Sequence, residues 1–196
     1  MQRTIQKKQR TENILLSLKK FDYLSRSQLQ ILHALGSDRN ASRVMKDLEE
    51  YVHSFRDGEN IYYLSKQGRE LTGSKKVCKK TTQVLHYIMR NDLYIAYECP
   101  SSWKNEMKLE VPGQVKIIAD AIFQKDGRYH LVEVDNTQKM NKNRATIDKY
   151  KALISLGVFK TPPKLIWVTT TEYRRRQLTE LLGGLDFQIF TVSDFH

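Results

Sequence analysis

The chain has 196 residues and a mass of 23.0 kDa, and 40% of its residues are hydrophobic, which excludes global disorder and suits one ordinary domain or two small ones. No apolar run approaches the roughly 20 residues needed to cross a bilayer, and residues 1–8 lack the apolar segment of a signal peptide. The two cysteines, Cys78 and Cys99, have no CxxC spacing, so we expect free thiols in a reducing cytoplasm.

The net charge is +11, and it is unevenly distributed. Residues 1–80 carry 17 Lys and Arg against 9 Asp and Glu, whereas residues 81–196 carry 16 against 13. A basic surplus in one half favours an anionic polymer as the partner, because each neutralised phosphate releases counterions. We therefore expect the protein to bind DNA, most simply double-stranded, and no membrane. The alternative is a basic surface that serves only solubility.

Three helices are predicted in the first third of the chain. Apolar residues at helical spacing place them at 11–20, 25–36 and about 40–53. Ser25 or Ser27 is the expected N-cap of the second helix. The first helix is expected to be capped by Thr11 or Asn13, and the third to bury Val44, Leu48, Tyr51 and Val52.

A two-stranded hairpin is predicted over 55–64, because Asp57-Gly58 is a turn signal and strand-forming residues follow it. Three helices and such a wing follow the plan of a winged helix-turn-helix domain, which we place at residues 1–76. In that plan the third helix enters the major groove and the wing lies near the backbone. The alternatives are a solvated helix face or a protein-binding module.

The expected DNA-contacting residues are Arg39, Asn40, Ser42, Arg43, Lys46 and Arg56. The basic run at 75–80 is interpreted as a flexible linker.

A second domain is predicted over 81–196. Its order is a helix, three strands, a helix and a strand, followed by a further helix and strand. This order implies a mixed sheet with helices packed on its faces. The expected fold class is therefore α/β (α+β). Helices are expected at 82–97, 141–156 and 172–182, and strands at 108–113, 117–123, 129–135, 164–170 and 187–192. The arginine run at 174–176 lies at a helix start and is interpreted as a solvated helix face, with phosphate binding as the alternative.

Carboxylates stand among apolar neighbours in two of these strands. Asp120 lies on one, Glu133 and Asp135 on the next, and Asp126-Gly127 predicts a tight turn between them. Crowded carboxylates repel unless a cation, a lysine or a proton neutralises them. Asp120 and Glu133 are therefore candidate ligands of Mg²⁺ or Mn²⁺, and no other cofactor is expected. Pairing with Lys or Arg is the alternative, and Asp135 is equally suited to be a third ligand or a structural acceptor.

The order of these elements is similar to the restriction-endonuclease-like, PD-(D/E)XK, core. That resemblance implies that Asp120 and Glu133 are the motif acids, which hold the metal that activates water. The motif lysine, however, is replaced by Asp135, which cannot supply a positive charge. A migrated lysine would restore it, with Lys149 as the catalytic candidate and Lys139 and Lys142 as the others nearby. Without it the nuclease-like site is inactive or altered.

A closer resemblance covers most of the chain. It is carried by the segment Tyr63-Leu-Ser-Lys-Gln-Gly68-Arg-Glu-Leu71, by a helix with His86 and Asn91-Asp92-Leu93, and by Glu133-Val-Asp135-x-Thr137 with Lys149. These residues resemble the replication-relaxation family of plasmid and mobile-element proteins. The resemblance implies a DNA-binding role in plasmid replication or relaxation.

Three functional hypotheses follow. The leading one is a DNA-binding protein of plasmid or mobile-element replication whose nuclease-like domain is inactive or altered, with replication or relaxation proteins as partners. The second is an active Mg²⁺- or Mn²⁺-dependent endonuclease, or nickase, that uses a migrated lysine. The third is a transcriptional regulator whose C-terminal domain forms a homodimer or binds another protein.

Overall fold

The computed structural model describes residues 2–195 and divides into two compact units, Met1–Asn91 and Asp92–His196. The division falls within helix α5 (Val84–Ala96), after the linker predicted from the sequence. Within the described residues, no helix is both long enough and apolar enough to span a bilayer.

The first unit contains three helices, then a hairpin, a fourth helix and the first part of α5. Its two outer strands, β1 and β2, both pair antiparallel with β3, which gives a three-stranded sheet in the order β1-β3-β2. The elements are α1 (Gln2–Phe21), β1 (Leu24–Ser25), α2 (Arg26–His33), α3 (Asp38–Lys46), β2 (Val52–Asp57), β3 (Glu59–Leu64) and α4 (Lys66–Thr72).

The predicted start of α2 is confirmed, and its cause is a capping box. The Ser25 hydroxyl accepts a hydrogen bond from the Gln28 amide, and the Gln28 side chain accepts one from the Ser25 amide. The helix ends earlier than predicted, because Ala34 already adopts a left-handed conformation, with φ +49°.

Two predicted boundaries in this unit are wrong. Helix α1 begins at Gln2, so neither Thr11 nor Asn13 caps it. Helix α3 ends at Lys46, and residues 52 and 53 form antiparallel pairs with Leu64 and Tyr63. Backbone pairing in the hairpin therefore decides the conformation of residues whose spacing also fits a helix.

Helix α4 is fixed to the rest of the unit at its first turn. The Ser65 hydroxyl accepts from the Gly68 amide and donates to the Glu50 carbonyl, while the Ser65 amide donates to the Tyr51 carbonyl. A Cβ on Gly68 would lie 2.1 Å from that Tyr51 oxygen. Only glycine therefore permits this close approach.

The second unit is a five-stranded mixed sheet in the order β4-β5-β6-β7-β8. β4, β5 and β6 are antiparallel, whereas β6, β7 and β8 are parallel. The predicted α+β fold class with a mixed sheet is confirmed. The elements after α5 are β4 (Lys104–Val111), β5 (Val115–Lys125), β6 (Arg128–Asp135), α6 (Met140–Ser155), β7 (Lys164–Thr169), α7 (Glu172–Leu181) and β8 (Phe187–Thr191), followed by a 3-10 turn at Val192–Asp194.

The core of this unit lies between the sheet and the helices α6 and α7. Buried strand residues such as Leu131, Leu165 and Trp167 belong to one cluster with buried helix residues such as Tyr150 and Leu178. Both residues of the Asp126-Gly127 turn have positive φ, at 53° and 73°, so β5 and β6 are joined by the tight turn that the sequence predicts. The hairpin sets the register of the two acid-bearing strands.

Candidate functional site: an acid pair on the sheet and a basic helix face

The structure brings Asp120 and Glu133 together. Backbone pairing of β5 with β6 runs from Lys125 opposite Arg128 to Ala121 opposite Val132 and stops there. Beyond that point, Oδ2 of Asp120 accepts a hydrogen bond from the Val134 amide at 2.7 Å. The carboxylate of Asp120 thus occupies the place of a strand partner, directly beside the residue that follows Glu133.

Glu133 lies in a site that disfavours its charge. It is 7% exposed, and its Oε1 accepts a hydrogen bond of 2.5 Å from the Tyr150 hydroxyl. Burial raises the pKa of Glu133 well above the ordinary range, and the neighbouring charge of Asp120 raises it further, whereas Tyr150 and Lys142 lower it. Burial and the charge of Asp120 thus both favour the protonated form of Glu133.

Tyr150 belongs to the same buried group. Burial raises the pKa of its phenol, and so do the charge of Glu133, the hydrogen bond with Glu133 and the charge of Asp120. The phenol consequently stays protonated and donates a hydrogen bond to the carboxyl oxygen of Glu133. From the sequence, Tyr150 is recognisable only as one of the inward residues of α6.

Asp135 has a different environment from Glu133, although both lie on β6. It is fully buried, and Oδ2 accepts from the Thr169 hydroxyl and from Arg174 Nε, each at 2.7 Å. Oδ1 accepts from Asn143 Nδ2 at 2.9 Å and from Arg174 Nη2 at 2.6 Å. Four hydrogen bonds occupy the carboxylate, so this arrangement favours the structural-acceptor alternative over the metal-ligand one.

The interpretation of residues 174–176 as a solvated face is wrong for two of the three arginines. Arg174 pairs with Asp135, and Arg175 pairs with Asp194 and donates to the Thr191 hydroxyl. Arg176 is exposed. Sequence reasoning missed Arg174 and Asn143, because their acid partner lies on a different element and no local spacing connects them.

The structure distinguishes the lysines that the sequence offered as replacements. Lys142 and Lys149 are both exposed on α6, and Lys142 is the one whose charge lowers the pKa of Glu133. The position of Lys142 thus suits a charge-supplying role at the acid pair, whereas the catalytic role of Lys149 stays a prediction.

The acid pair fits only one kind of metal binding. In residues 2–195, no group of three or more His, Cys, Asp or Glu side chains is arranged to hold a metal ion. Mg²⁺, however, is usually bound through one or two carboxylates together with water and substrate phosphates. Asp120 and Glu133 match that pattern, and a phosphate-bearing substrate would complete the coordination.

A basic face lies on α3 in the first unit. Arg39, Ser42, Arg43 and Lys46 are all exposed and recur at the spacing of one helix face. The opposite face buries Ala41, Val44 and Met45. Arg56 is also exposed, on β2 next to the hairpin turn.

Asn40 differs from the other predicted DNA contacts because the protein itself uses its amide. Its Nδ2 donates to the Leu35 carbonyl at 2.6 Å, and its Oδ1 accepts from Arg43 Nη2 at 2.7 Å. Asn40 therefore fixes the start of α3 and orients the arginine one turn further on. Its predicted reading of a base would require these bonds to be exchanged.

The two units together define a class of protein: an α+β chain in which a helical unit with a basic helix face accompanies a mixed sheet bearing a buried acid pair. The family model described as replication-relaxation matches residues 15–169, and the chain belongs to that family. No curated protein matches the chain.

Two solved structures are distantly similar. Protein VC1899 from Vibrio cholerae has 10% sequence identity and a TM-score of 0.42, covering 95% of this chain and 53% of that one. Can2 from Sulfobacillus thermosulfidooxidans, solved in complex with cyclic tetra-adenylate, has 9% identity and a TM-score of 0.38, covering 97% and 49%. The chain thus spans about half the length of each, and the likeness is too low to bear on function.

Proposed function

We propose that this protein binds double-stranded DNA through α3 and through Arg56 beside the turn of the β2–β3 hairpin, and that it does so in the replication or relaxation of a plasmid or mobile element. The observation that carries the proposal is the exposed face of α3, where Arg39, Arg43 and Lys46 project together. Family membership supports the biological setting.

The dimensions of this face suit a DNA groove. An α-helix with its side chains is about 10–12 Å in diameter, and the major groove, about 12 Å wide, admits it. An arginine can form two hydrogen bonds with guanine, while a lysine contacts phosphate as a point charge. Arg43, held by Asn40, presents its guanidinium in a defined orientation.

The acids at the ends of α3 do not cancel this positive charge. Asp38 pairs with Arg26, and Asp47 pairs with Lys7, each at 2.8 Å. The hydrogen bond and charge of Lys7 lower the pKa of Asp47, and the charges of Arg43 and Arg10 lower it further. Because each acid forms its ion pair with a basic residue outside α3, the helix face keeps a net positive charge for an anionic partner.

Charge reversal tests the proposal. Binding of a fluorescent mixed-sequence duplex is measured by anisotropy over a series of salt concentrations for the wild type, Arg43→Glu and Lys160→Glu. Lys160 is an exposed lysine of the second unit, so its reversal makes the same charge change away from α3. We expect Arg43→Glu to weaken binding and to reduce the salt slope by about 1 for each lost phosphate contact. Equal effects of the two reversals would refute the role of α3.

The acid pair favours a second candidate function, that of a Mg²⁺- or Mn²⁺-dependent DNA endonuclease. Asp120 and Glu133 would hold the metal, which when bound polarises a phosphate and activates water. Tyr150 orients the Glu133 carboxyl through its hydrogen bond, and the charge of Lys142 favours the ionised form that a metal requires. A nicking assay on supercoiled plasmid with Mn²⁺, comparing the wild type with Glu133→Gln, tests this function. Absence of nicking by folded wild-type protein would contradict it.

A further inference from the structure

One face of the β2–β3 hairpin carries aromatic rings side by side. His53 on β2 lies directly opposite Tyr63 on β3, and their ring centroids are 5.6 Å apart. Phe55, two residues along β2, lies 6.0 Å from the Tyr63 ring. His53 is exposed, whereas Phe55 and Tyr63 are half-buried because they pack on one side against the buried residues Tyr23, Ile61 and Val84.

A basic segment runs beside these rings. The ammonium of Lys80 lies 5.8 Å from the centroid of Phe55, close to the outer limit of about 6 Å for a cation–π contact. Lys79 and Lys80 are both exposed. The lysines are therefore placed to meet an anionic group on a molecule that stacks against the hairpin.

This segment is attached to the first unit at defined points. Lys76 forms an ion pair of 2.8 Å with Asp22, and the Tyr23 hydroxyl donates to the Lys79 carbonyl at 2.8 Å. Burial is the main cause that raises the pKa of Tyr23 to about 12, so its phenol stays protonated and able to donate. The contacts hold the lysines beside the hairpin, which differs from the flexible linker expected from the sequence.

The nearest acids of the hairpin turn do not neutralise the segment. Glu59 accepts hydrogen bonds from the amide and the hydroxyl of Ser27 and lies 3.8 Å from Arg26, so its charge is directed to α2. Asp57 is exposed and shares the face of Phe55, because alternate residues of a strand lie on the same face. This side of the hairpin therefore carries one exposed acid beside two exposed lysines, and its net charge is positive.

We propose that this hairpin face, formed by His53, Phe55, Tyr63, Lys79 and Lys80, binds an unpaired segment of DNA. Proteins that bind single strands combine positive charge for the backbone with aromatic rings on which bases stack. The faces of bases inside a duplex are already stacked, so rings of this kind select for unpaired bases. The inference rests on the proposed function and deepens it, because it assigns a second form of DNA to the same unit.

The two surfaces have different chemistry. The exposed face of α3 carries Arg39, Ser42, Arg43 and Lys46 without an aromatic ring, which suits a duplex. The hairpin face carries rings together with lysines, which suits single-stranded DNA. Variants of one surface should therefore affect one form of DNA more than the other.

The experiment measures binding of the full chain to a labelled 20-nucleotide oligo-dT and to a duplex. Phe55→Leu keeps an apolar side chain but removes the ring, and Phe55→Trp restores a ring. We expect Phe55→Leu to weaken oligo-dT binding roughly 5- to 150-fold, the range for losing one stacked base, with less than about a twofold change for the duplex. Phe55→Trp should bind oligo-dT at least as well as the wild type. Tyr173→Leu removes an exposed ring of α7 and should change neither affinity.

His53→Ala provides a variant that leaves the core intact, because His53 is exposed. Unchanged oligo-dT affinity in both His53→Ala and Phe55→Leu would overturn the inference, as would an equal loss for oligo-dT and duplex. Arg43→Glu separates the two proposals. If it leaves duplex binding intact while Phe55→Leu abolishes oligo-dT binding, the α3 proposal fails and the hairpin inference stands.

Discussion

Arg174 on α7 holds the buried carboxylate of Asp135 on β6 through two parallel hydrogen bonds, Nε to Oδ2 at 2.7 Å and Nη2 to Oδ1 at 2.6 Å. The resemblance to PD-(D/E)XK nucleases implies a lysine at position 135. Here the position carries an acid, and the positive charge comes from another helix. The two acids of β6 therefore have separate roles: Asp135 ties α7 to the sheet, while Glu133 faces Asp120 and Tyr150.

Removal of Arg174 should destabilise the second unit strongly. Asp135 is 0% exposed, so Arg174→Ala would leave a buried carboxylate without its cation, and breaking a buried ion pair typically costs about 3–5 kcal/mol. Arg176→Ala on the same helix is the control, because Arg176 is exposed. Urea denaturation followed by circular dichroism measures the free energy of unfolding for both variants.

Asp135→Asn in the Arg174→Ala background provides the second half of this test. The amide removes the buried charge, so the double variant should be less destabilised than the two single losses added together. An Arg174→Ala protein as stable as Arg176→Ala would contradict the anchoring role of this pair.

The stability of the protein should depend on pH through Glu133. The pKa of this carboxyl is raised on folding above its ordinary value of 4.5, chiefly by burial. The folded protein therefore binds the proton more tightly, and the resulting stability is present at low pH and is lost as pH rises through the folded-state pKa. Glu133→Gln cannot ionise, so its advantage in the free energy of unfolding over the wild type should grow from pH 4.5 towards pH 8.

Chemical denaturation at several pH values measures this difference. Glu180→Gln is the matched control, because Glu180 is exposed on α7. A constant difference between Glu133→Gln and the wild type across this range would show that Glu133 is not the titrating group.

Lys142 and Lys149 should behave differently in the same assay. Because the charge of Lys142 lowers the pKa of Glu133, Lys142→Ala should raise that pKa further. The pH-dependent loss of stability should then extend to higher pH than in the wild type, whereas Lys149→Ala should follow the wild-type profile. Identical profiles for the two alanine variants would remove Lys142 from the acid site.

The sequence predicts best where structure depends on local chemistry. Asp126-Gly127 joins adjacent strands, so the meeting of Asp120 with Glu133 could be anticipated from two runs of strand composition and one turn signal. The capping of α2 by Ser25 is equally local. The first turns of α1 are not predicted because residues 2–10 contain a single apolar residue, Ile5, and therefore no apolar stripe.

Contacts between distant elements were not predictable in this way. Arg174 and Asp135 are 39 residues apart, and the pattern of α7 alone does not show which arginine reaches a buried acid. The choice between Lys142 and Lys149 likewise depends on how α6 lies over the sheet. The end of α3 was missed because hairpin pairing overrides helix periodicity at residues 52 and 53.

Gly68 should be the most sensitive glycine of the first unit to alanine substitution. A Cβ at this position would lie 2.1 Å from the Tyr51 carbonyl oxygen, so α4 would have to move away from the turn that Ser65 also contacts. Overpacking of this kind typically costs about 1–3 kcal/mol, which exceeds the gain of roughly 1 kcal/mol in helix propensity. Gln67→Ala, on the exposed side of the same turn, is the control. Thermal and urea unfolding of both variants measure the effect, and a Gly68→Ala protein as stable as Gln67→Ala would mean that α4 does not rest on the Tyr51 carbonyl.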